Sequence, residues 1–340
     1  MKKILNGTNQ VVEQMVEGLV KSHADVVHRV EGTRVIARND KRPGKVGLVS
    51  GGGSGHEPAH AGYVGRGMLS AAVCGDVFTS PTPDQIYEGI KAADQGAGVL
   101  LIVKNYTGDV MNFEMAADLA DADDIKVEQI VVDDDIAVED STFTTGRRGV
   151  AGTVLVHKII GAAAEAGASL DELKALGEKV IASVKTLGVA LSPCTVPEVG
   201  HPGFELGDDE IELGIGIHGE PGFTREKIMP SASLAKQLYE RISNESKLLA
   251  GDKVVVLVNG MGATPLMEQY VFANDVHELL KNAGVQVEKT LVGDYMTSLE
   301  MAGLSLTILK LEDEKWVDML KLPVDTICMV IKFGGMNHDL

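Results

Sequence analysis

The sequence predicts an α/β protein made of two α/β domains, each with a mainly parallel or mixed sheet flanked by helices. Three observations predict this fold class. The 340 residues suit about two domains of ordinary size. Hydrophobic residues make up 44% and charged residues 24% of the chain, which is typical of a globular protein with an apolar core. Short apolar runs alternate with helical patterns, which is typical of parallel strands joined by helices.

The first half contains the clearest strand and helix patterns. The predicted buried strands are apolar runs at 45–50, 98–104 and 126–132. The predicted helices lie at 83–94, 110–120, 149–166 and 169–186. Pro83 suits the first turn of its helix, and Asp109 is predicted to be the N-cap of the next helix. We expect the last of these helices to end by Gly188.

A change in composition near residue 190 divides the chain. Residues 192–203 hold three prolines and two glycines, which is typical of a linker or an irregular crossing. We therefore predict an N-terminal domain over 1–188, which contains Asp109, and a C-terminal domain over 189–340, which contains His218.

The second half is predicted to begin with a hairpin and to continue as alternating helices and strands. Residues 211–218 alternate between apolar and other positions, which predicts a strand with one buried face. The segment 204–206, across a short turn, is its predicted partner. The other predicted elements are a helix at 231–249, a helix after the glycine-rich turn that follows 253–258, and strands at 253–258, 285–292, 304–311 and 326–333.

Charge and cysteine content restrict the partners and the compartment. The chain has 31 basic and 49 acidic residues, a formal net charge of −18, which argues against nucleic acid and against an anionic membrane surface. Its three cysteines are far apart and form neither a disulfide framework nor a cysteine zinc site. The sequence shows neither a signal peptide nor a transmembrane run. We therefore predict a cytoplasmic protein.

A glycine-rich segment at 51–58 is predicted to lie where a strand ends, which is where parallel sheets bind ligands. Adjacent glycines let the backbone approach a ligand closely, so we favour a binding loop over a simple tight turn. The phosphate-loop and dinucleotide-binding patterns do not match. His56 to His60 does match the H-E-x-x-H zinc signature. Pro58 argues against the continuous helix that this signature needs.

Two further groups of residues could perform chemistry. Lys104 and Asp109 follow the strand at 98–104, and we expect them on the same rim as the glycine segment. Asp109 is either a helix cap or a base for a substrate hydroxyl, and Lys104 is either a substrate-binding cation or the charged end of a strand. On the predicted strand at 211–218, His218 shares a face with two glycines, which leaves space for a small molecule at its imidazole.

Two charged segments have less specific interpretations. The aspartates at 133–135 could bind a cation, but we favour a solvated loop for such a run of like charges. Arg147 and Arg148 are the paired arginines of an acidic chain. They could contact an anion, an acidic partner or the aspartate loop, and the sequence does not choose among these.

Several segments together resemble one family. They are GGGSGHEP (51–58), FTSPTPDQIYEGI (78–90), KNYTGD (104–109), VVDDDIAVED (131–140), TTGRRGVAGT (144–153), GIGIHGEPG (214–222) and NGMGATPL (259–266). In this order, and over almost the whole chain, they resemble the dihydroxyacetone-binding subunits of dihydroxyacetone kinases, the DhaK family. Together these segments are far more specific than the H-E-x-x-H match.

The resemblance implies roles for particular residues. His218 matches the histidine that binds the substrate ketone covalently as a hemiaminal, so that a polyol such as glycerol is rejected. Asp109 matches the base that takes the proton of the reacting hydroxyl. His56 matches the residue that hydrogen-bonds the substrate and assists this transfer. Gly53, Ser54, Gly55 and Lys104 are the expected substrate-binding positions. No metal site is expected, and the family is described as homodimeric.

The resemblance also implies a division of labour between subunits. The sequence shows no nucleotide-phosphate loop, so we expect this chain to bind no cofactor. A separate kinase subunit of the DhaL type is expected to hold ADP or ATP with magnesium. A phosphotransferase-system component would recharge that nucleotide from phosphoenolpyruvate. Two alternatives remain: a non-catalytic, dihydroxyacetone-binding paralogue that acts as a transcriptional co-activator, and a zinc hydrolase.

Overall fold

The computed structural model describes residues 2–140 and 144–331. The strands of the first half are β1 (Val27–Arg29), β2 (Val35–Arg38), β3 (Gly47–Ser54), β4 (Gly65–Arg66), β5 (Ala71–Val77), β6 (Val99–Lys104) and β7 (Val127–Val132). The helices of this half are α1 (Val11–Ser22), α2 (Pro83–Ala93) and α3 (Thr107–Asp121).

The second half adds helices α4 (Thr153–Glu165), α5 (Leu170–Ser183), α6 (Ser231–Ser246), α7 (Leu266–Asn282) and α8 (Lys315–Lys321). Its strands are β8 (Val184–Ala190), β9 (Glu210–Leu213), β10 (Thr224–Lys227), β11 (Lys253–Gly260), β12 (Gln286–Gly293), β13 (Gly303–Lys310), β14 (Val324–Thr326) and β15 (Val330–Ile331). Over the described ranges, no helix combines the length and the apolar character needed to cross a bilayer.

The first sheet has the order β1-β2-β5-β3-β6-β7. The strands β5, β3, β6 and β7 are parallel to one another. The strands β1 and β2 extend the sheet beyond β5 as an antiparallel edge. Helices α2 and α3 pack on one face, and α1, α4 and α5 pack on the other. Because both faces are covered, every residue of β6 is buried, which explains its continuous apolar sequence.

The second sheet has the order β10-β9-β8-β13-β11-β12 and is mixed, with β11 and β12 parallel and the other pairs antiparallel. Helices α6 and α7 cover one face. On its other face, Val255 and Leu309 join the same apolar cluster as Leu48 and Ile102 of the first sheet. In a small third sheet, β14 pairs with β4 on one side and with β15 on the other, so the described end of the chain packs back on the first half.

The two-domain α/β class predicted from the sequence is confirmed, and the strands β6, β7, β11, β12 and β13 lie where they were expected. The predicted domain division at 188 falls inside β8, and the division itself stays a prediction. The helix expected at 169–186 ends at Ser183, because 184–190 forms a strand of the second sheet. In the last predicted strand, residues 332–333 lie outside the described residues.

The predicted hairpin was wrong in its partner. The strand β9 ends at Leu213 and pairs with β10 and β8, not with residues 204–206. Alternation correctly predicted the buried side chains at Ile211, Leu213, Ile215 and Ile217. It could not show that Gly214 turns the chain at a φ of 81° and opens a loop from 214 to 223. This loop holds His218.

Candidate functional site

A cavity of about 520 Å³ lies where parallel strands of the first sheet end and the loop between β9 and β10 covers them. It is lined by Gly53, Phe78, Thr79, Ser80, Tyr106, Gly108, Asp109, Asn112 and His218. The structure therefore places three of the predicted site residues, Gly53, Asp109 and His218, on one cavity wall. Ligand crevices form at this end of a parallel sheet because successive strands deliver their loops there.

The glycine segment is part of a strand rather than a separate loop, because β3 continues to Ser54. Gly53 lines the cavity, and a Cβ at this position would lie 2.5 Å from the Thr79 backbone nitrogen. Ser54 donates a hydrogen bond of 2.7 Å to the Gly75 carbonyl, and the Gly55 N–H donates to the Glu57 carboxylate. Ser54 and Gly55 therefore bond to other parts of the protein, and neither residue lines the cavity.

Asp109 lies in the first turn of α3, where the prediction that it caps the helix was wrong. The helix begins at Thr107 with Tyr106 as its N-cap residue, so Asp109 is the third helical residue. Its carboxylate is 3% exposed, and its Oδ1 has no hydrogen-bond partner among the described residues. Burial raises the pKa of this carboxyl, while the Lys104 charge, a hydrogen bond from Ser80 and the nearby His218 oppose that rise.

His218 is oriented by a carboxylate two residues further along the chain. Its Nδ1 lies 2.8 Å from Glu220 Oε1, and its backbone N–H donates to Glu220 Oε2 at 2.9 Å. A carboxylate only accepts, so Nδ1 carries the hydrogen, and in the neutral ring the lone pair is on Nε2. Glu220 is 3% exposed, yet His218 and the Arg148 charge lower its pKa to about 2.

Three aromatic side chains surround the His218 ring. The ring centroids of Tyr106, His56 and Phe78 lie 4.6, 4.8 and 5.1 Å from it. The Tyr106 hydroxyl is buried and has no hydrogen-bond partner in the described part of the chain. The sequence reasoning missed Tyr106 and Glu220 as site residues. The position of Glu220 inside the segment GIGIHGEPG was the available signal.

His56 connects the two halves of the molecule. Its Nδ1 lies 2.8 Å from the carbonyl oxygen of Thr297 and must donate, so Nε2 is an acceptor. That Nε2 has no partner among the described residues. Burial, with the neighbouring His218 ring and the Lys104 ammonium, lowers the pKa of His56, which keeps the His56 ring neutral and its Nε2 available.

Lys104 is the last residue of β6 and is fully buried. It does not line the cavity. A Cβ on Gly52 would lie 2.7 Å from Lys104 Nζ and 3.4 Å from Asp109 Oδ2, so the ammonium and the carboxylate both pack over this glycine. The structure thus places Lys104 behind the cavity wall, next to the candidate base.

The aspartates at 133–135 are not a solvated loop, and this preference was wrong. Asp134 is 0% exposed and Asp135 is 1% exposed. Asp134 accepts hydrogen bonds from two backbone N–H groups and from Thr186. Asp135 accepts from the Arg148 Nε at 2.8 Å. These partners compensate for the cost of burying the charges.

Of the three alternatives for the arginine pair, Arg148 contacts the aspartate loop. It is 0% exposed, and its Nη2 donates to the Gly214 carbonyl at 2.8 Å. Glu220 lies beside the same guanidinium, which lowers the pKa of that carboxyl. Arg148 thereby holds the start of the His218 loop and places a positive charge near Glu220. Arg147 forms an ion pair with Glu245 on the surface.

The H-E-x-x-H match does not form a metal-binding helix. Residues 57–60 form turns, and the two histidines bind different partners. His56 contacts Thr297, while His60 Nε2 lies 3.1 Å from Lys104 Nζ. Within the described ranges, no group of three or more histidine, cysteine, aspartate or glutamate side chains is placed to hold a metal ion. The zinc-hydrolase alternative therefore loses the geometry on which it depended.

The fold and the site together define a class of protein: a two-sheet α/β protein that presents an imidazole and a buried carboxylate to a small ligand. The Dak1 domain family matches residues 17–328. The "PTS-dependent dihydroxyacetone kinase 1, dihydroxyacetone-binding subunit DhaK" of Listeria innocua is 99% identical over 327 residues, which are 96% of this chain and 99% of that protein. The chain belongs to the DhaK family of dihydroxyacetone kinase subunits, which are components of phosphotransferases.

Two solved structures are similar over nearly the whole chain. The dihydroxyacetone kinase of C. freundii has a TM-score of 0.89 at 33% identity, and the match covers 100% of this chain and 62% of that one. The dihydroxyacetone kinase operon co-activator DhaQ also has a TM-score of 0.89, at 40% identity, covering 94% of this chain and 98% of that one. Both an enzyme and a co-activator therefore share this fold.

Proposed function

We propose that this chain binds dihydroxyacetone covalently through His218 and positions it for phosphorylation to dihydroxyacetone phosphate. A nucleotide-loaded subunit of the DhaL type would bring the phosphoryl group, which would come ultimately from phosphoenolpyruvate. The observation that most supports this proposal is the contact between Glu220 and His218 Nδ1, which leaves the lone pair of the neutral ring on Nε2. His218 and Asp109 line the same cavity. The 99% identical DhaK subunit supports the choice of substrate.

Covalent binding would begin with attack of His218 Nε2 on the carbonyl carbon. The new C–N bond forms as the π electrons of the C=O bond move to oxygen, which takes up a proton. The ring becomes cationic and then loses the Nδ1 proton, which Glu220 is placed to stabilise or accept. Glycerol has no carbonyl carbon to attack, so the same step would reject it.

Asp109 is the proposed base for the reacting hydroxyl. Asp109 lines the cavity, its Oδ1 has no hydrogen-bond partner among the described residues, and the carboxylate must be ionised to accept a proton. The unpartnered Nε2 of His56 and the hydroxyl of Tyr106 could each hydrogen-bond the held substrate. Phosphoryl transfer depends on in-line positioning and on charge stabilisation. A covalently anchored substrate supplies the first of these.

The cavity has more room than a three-carbon ketone needs. Gly53 and Gly108 contribute backbone but no side chain to its wall. The remaining space would admit the phosphoryl group of the donor. In the C. freundii kinase, a structure was solved "in complex with AMP-PNP and Mg2+"; for the present chain, we propose that ADP or ATP with magnesium is held by the partner subunit.

We propose that the partner subunit docks along α3. Gly108 and Asn112 of this helix line the cavity. Spacings of three and four residues continue this face to Met111, Met115 and Leu119, each about half exposed. We call these three residues the α3 stripe. A subunit that inserts a phosphoryl group into the cavity must cover this end of the helix, and flexible methionines suit such a contact.

The main experiment measures the covalent adduct by intact mass under mild conditions. We expect His218→Ala to lose the mass increment of bound dihydroxyacetone, while the exposed His201→Ala control retains it. Asp109→Asn should keep the adduct but lose turnover by about 100-fold or more with the charged partner. An unchanged adduct in His218→Ala, or undiminished turnover in Asp109→Asn, would contradict these roles.

A second candidate function is that of a dihydroxyacetone-binding co-activator, which the similarity to DhaQ favours. The two functions differ in product formation. Purified chain, charged partner and dihydroxyacetone should together give dihydroxyacetone phosphate if the chain is a kinase subunit. Adduct formation without product would favour the co-activator.

We also propose that the protein is a cytoplasmic homodimer. Its cysteines Cys74, Cys194 and Cys328 are free thiols, which suits a reducing compartment. Light scattering during gel filtration tests the dimer directly. A monomer at micromolar concentration would contradict it.

A further inference from the structure

A buried chain of hydrogen bonds behind the cavity is not used by the proposed chemistry. It connects Lys104, His60 and His157, which are 0%, 6% and 0% exposed. Lys104 Nζ lies 3.1 Å from His60 Nε2, and His60 Nδ1 lies 3.0 Å from His157 Nε2. Two buried histidines next to a buried lysine are costly to fold unless each hydrogen has an acceptor.

The directions of these hydrogen bonds follow from the donors. A lysine ammonium has only N–H donors, so His60 Nε2 must accept and His60 Nδ1 must carry the hydrogen. The Ser50 hydroxyl donates to the Ile102 carbonyl at 2.7 Å, so at 3.3 Å from His60 Nδ1 it can only accept. His60 therefore donates towards His157 Nε2. Both imidazoles are neutral in this arrangement, and their hydrogens point away from Lys104. The last of these hydrogens, on His157 Nδ1, has no acceptor among the described residues.

Burial lowers the pKa of Lys104, and an imidazole acceptor at its ammonium opposes this effect. Lys104 is fully buried, and among the described residues the hydrogen-bond partner of its ammonium is His60 Nε2. An acceptor polarised by a second hydrogen bond stabilises such a donor more than an isolated acceptor does. Lys104 and Asp109 both pack over Gly52, and the Lys104 charge is the largest influence opposing the burial of the Asp109 carboxylate.

We propose that His60 and His157 are positioning residues: their one-way hydrogen-bond chain keeps the Lys104 ammonium protonated beside Asp109, so that Asp109 stays ionised at the pH of catalysis. This inference rests on the proposed role of Asp109 as the base. It gives the second histidine of the H-E-x-x-H segment a role that involves no metal.

Other charged and titratable groups also face this pair. Those that influence Asp109 are Lys104 from β6, Ser80 from the loop before α2, and His218 from the loop between β9 and β10. Three carboxylates raise the pKa of Lys104: Asp109 from α3, Glu220 from the His218 loop and Asp134 after β7. Lys104 in turn lowers the pKa of three histidines, which are His56 and His60 after β3 and His157 from α4. Its ammonium also faces the ring of Tyr106. The carboxylates of Glu220 and Asp134 favour the charged lysine, and all of these groups except His60 and His157 are unchanged in the variants below.

The test compares His60→Leu with His60→Gln in the full chain. Leucine fills much of the imidazole volume without offering an acceptor, whereas glutamine offers an amide oxygen to Lys104. With the charged partner, we expect the acid limb of the kcat profile to move up by about 1–3 pH units in His60→Leu, the usual effect of losing a nearby opposite charge. His60→Gln should restore most of this shift.

A second measurement does not depend on the kinase reaction. Nitrogen NMR of lysine-labelled protein follows the Lys104 ammonium directly during a pH titration. We expect Lys104 to lose its proton at lower pH in His60→Leu than in the parent chain. His157→Phe should produce a smaller shift in the same direction, because Ser50 still accepts from His60, and it serves as a second variant if His60→Leu does not fold. His277→Leu, which removes a histidine of α7 that is hydrogen-bonded to Thr290 of β12, should shift neither quantity.

Two outcomes would overturn the proposal. One is equal Lys104 titrations and equal kcat profiles in the parent chain, His60→Leu and His157→Phe. The other is a loss of kcat that is the same at every pH and is not restored by His60→Gln, as a merely structural role would give. If the proposed function itself fails, the parent chain makes no product at any pH, while the Lys104 titration still responds to His60→Leu.

Discussion

The substitution Glu220→Gln tests how the reactive histidine is oriented, with almost no change in shape. The carboxylate accepts from the His218 backbone N–H and from its ring nitrogen, at 2.9 and 2.8 Å. An amide has one accepting oxygen, so Glu220→Gln satisfies only one of these donors in either orientation. The variant also removes the negative charge beside the buried Arg148.

The expected loss of stability follows from the pKa of Glu220. It lies at about 2 instead of 4.5, and at about 1.4 kcal/mol for each pKa unit this corresponds to about 3 kcal/mol. Because the folded-state pKa is depressed, this stabilisation is fully present above pH 4.5 and is lost as the pH falls towards 2. Glutamine resembles the protonated acid, so the two chains should differ most at neutral pH and converge in acid.

Adduct formation should weaken as well. A hydrogen bond to a charged group contributes about 1.5–3 kcal/mol, so we expect the apparent affinity for dihydroxyacetone to fall about 10- to 100-fold. Urea denaturation between pH 3 and 7 measures the loss of stability. Intact mass across a dihydroxyacetone titration measures the loss of affinity.

The matched control is Glu212→Gln in the same hairpin. Glu212 is also buried, but it accepts from the Gly222 N–H and from Arg225 and does not contact His218. This variant should lose stability and keep its affinity for the ketone. If Glu220→Gln binds the ketone as tightly as the parent chain does, the orienting role of the carboxylate is refuted.

Three further substitutions test other parts of the site. Gly52→Ala would place a methyl group 2.7 Å from Lys104 Nζ; we expect an intact adduct but about 100-fold slower phosphorylation, and an unchanged rate would contradict the packing argument. Asp135→Asn removes the charge partner of a fully buried arginine, so the free energy of unfolding should fall by about 3–5 kcal/mol in urea denaturation; a loss below about 1 kcal/mol would contradict it. Met115→Asp, on the α3 stripe, should weaken binding of the nucleotide subunit about tenfold or more in titration calorimetry. Leu249→Asp, at a more exposed apolar position outside the cavity lining, should leave this affinity unchanged, and equal losses in both variants would refute docking along α3.

The sequence predicted best where one local pattern decides the structure. β6 is a continuous apolar run because both faces of a parallel sheet are buried, and its bounds were predicted within one residue. The start of α3 was predicted three residues too late. Capping preference favours aspartate, but Asp109 is drawn into the helix, where it lies against Gly52 and the cavity. A tertiary contact outweighed the local preference.

The sequence predicted least where a partner lies far along the chain. Nothing near the aspartates at 133–135 shows that Thr186 and Arg148 will bind two of them in the interior. The partner of β9 was missed for a similar reason, because alternation shows which side chains are buried but not which strand lies alongside. His218 was found from its flanking glycines. Its dependence on Glu220 needed the turn that brings the carboxylate back onto the ring.

The distribution of charge around the cavity also limits how phosphoryl transfer could proceed there. None of the described residues that line the cavity is lysine or arginine. Arg148 is bound to Asp135, and Lys104 lies behind Gly52, next to Asp109. A transferring phosphoryl group needs nearby positive charge, and the cavity wall supplies instead a carboxylate that would repel it. The cations must therefore arrive with the donor, which is what a magnesium-bound nucleotide on the proposed partner would provide.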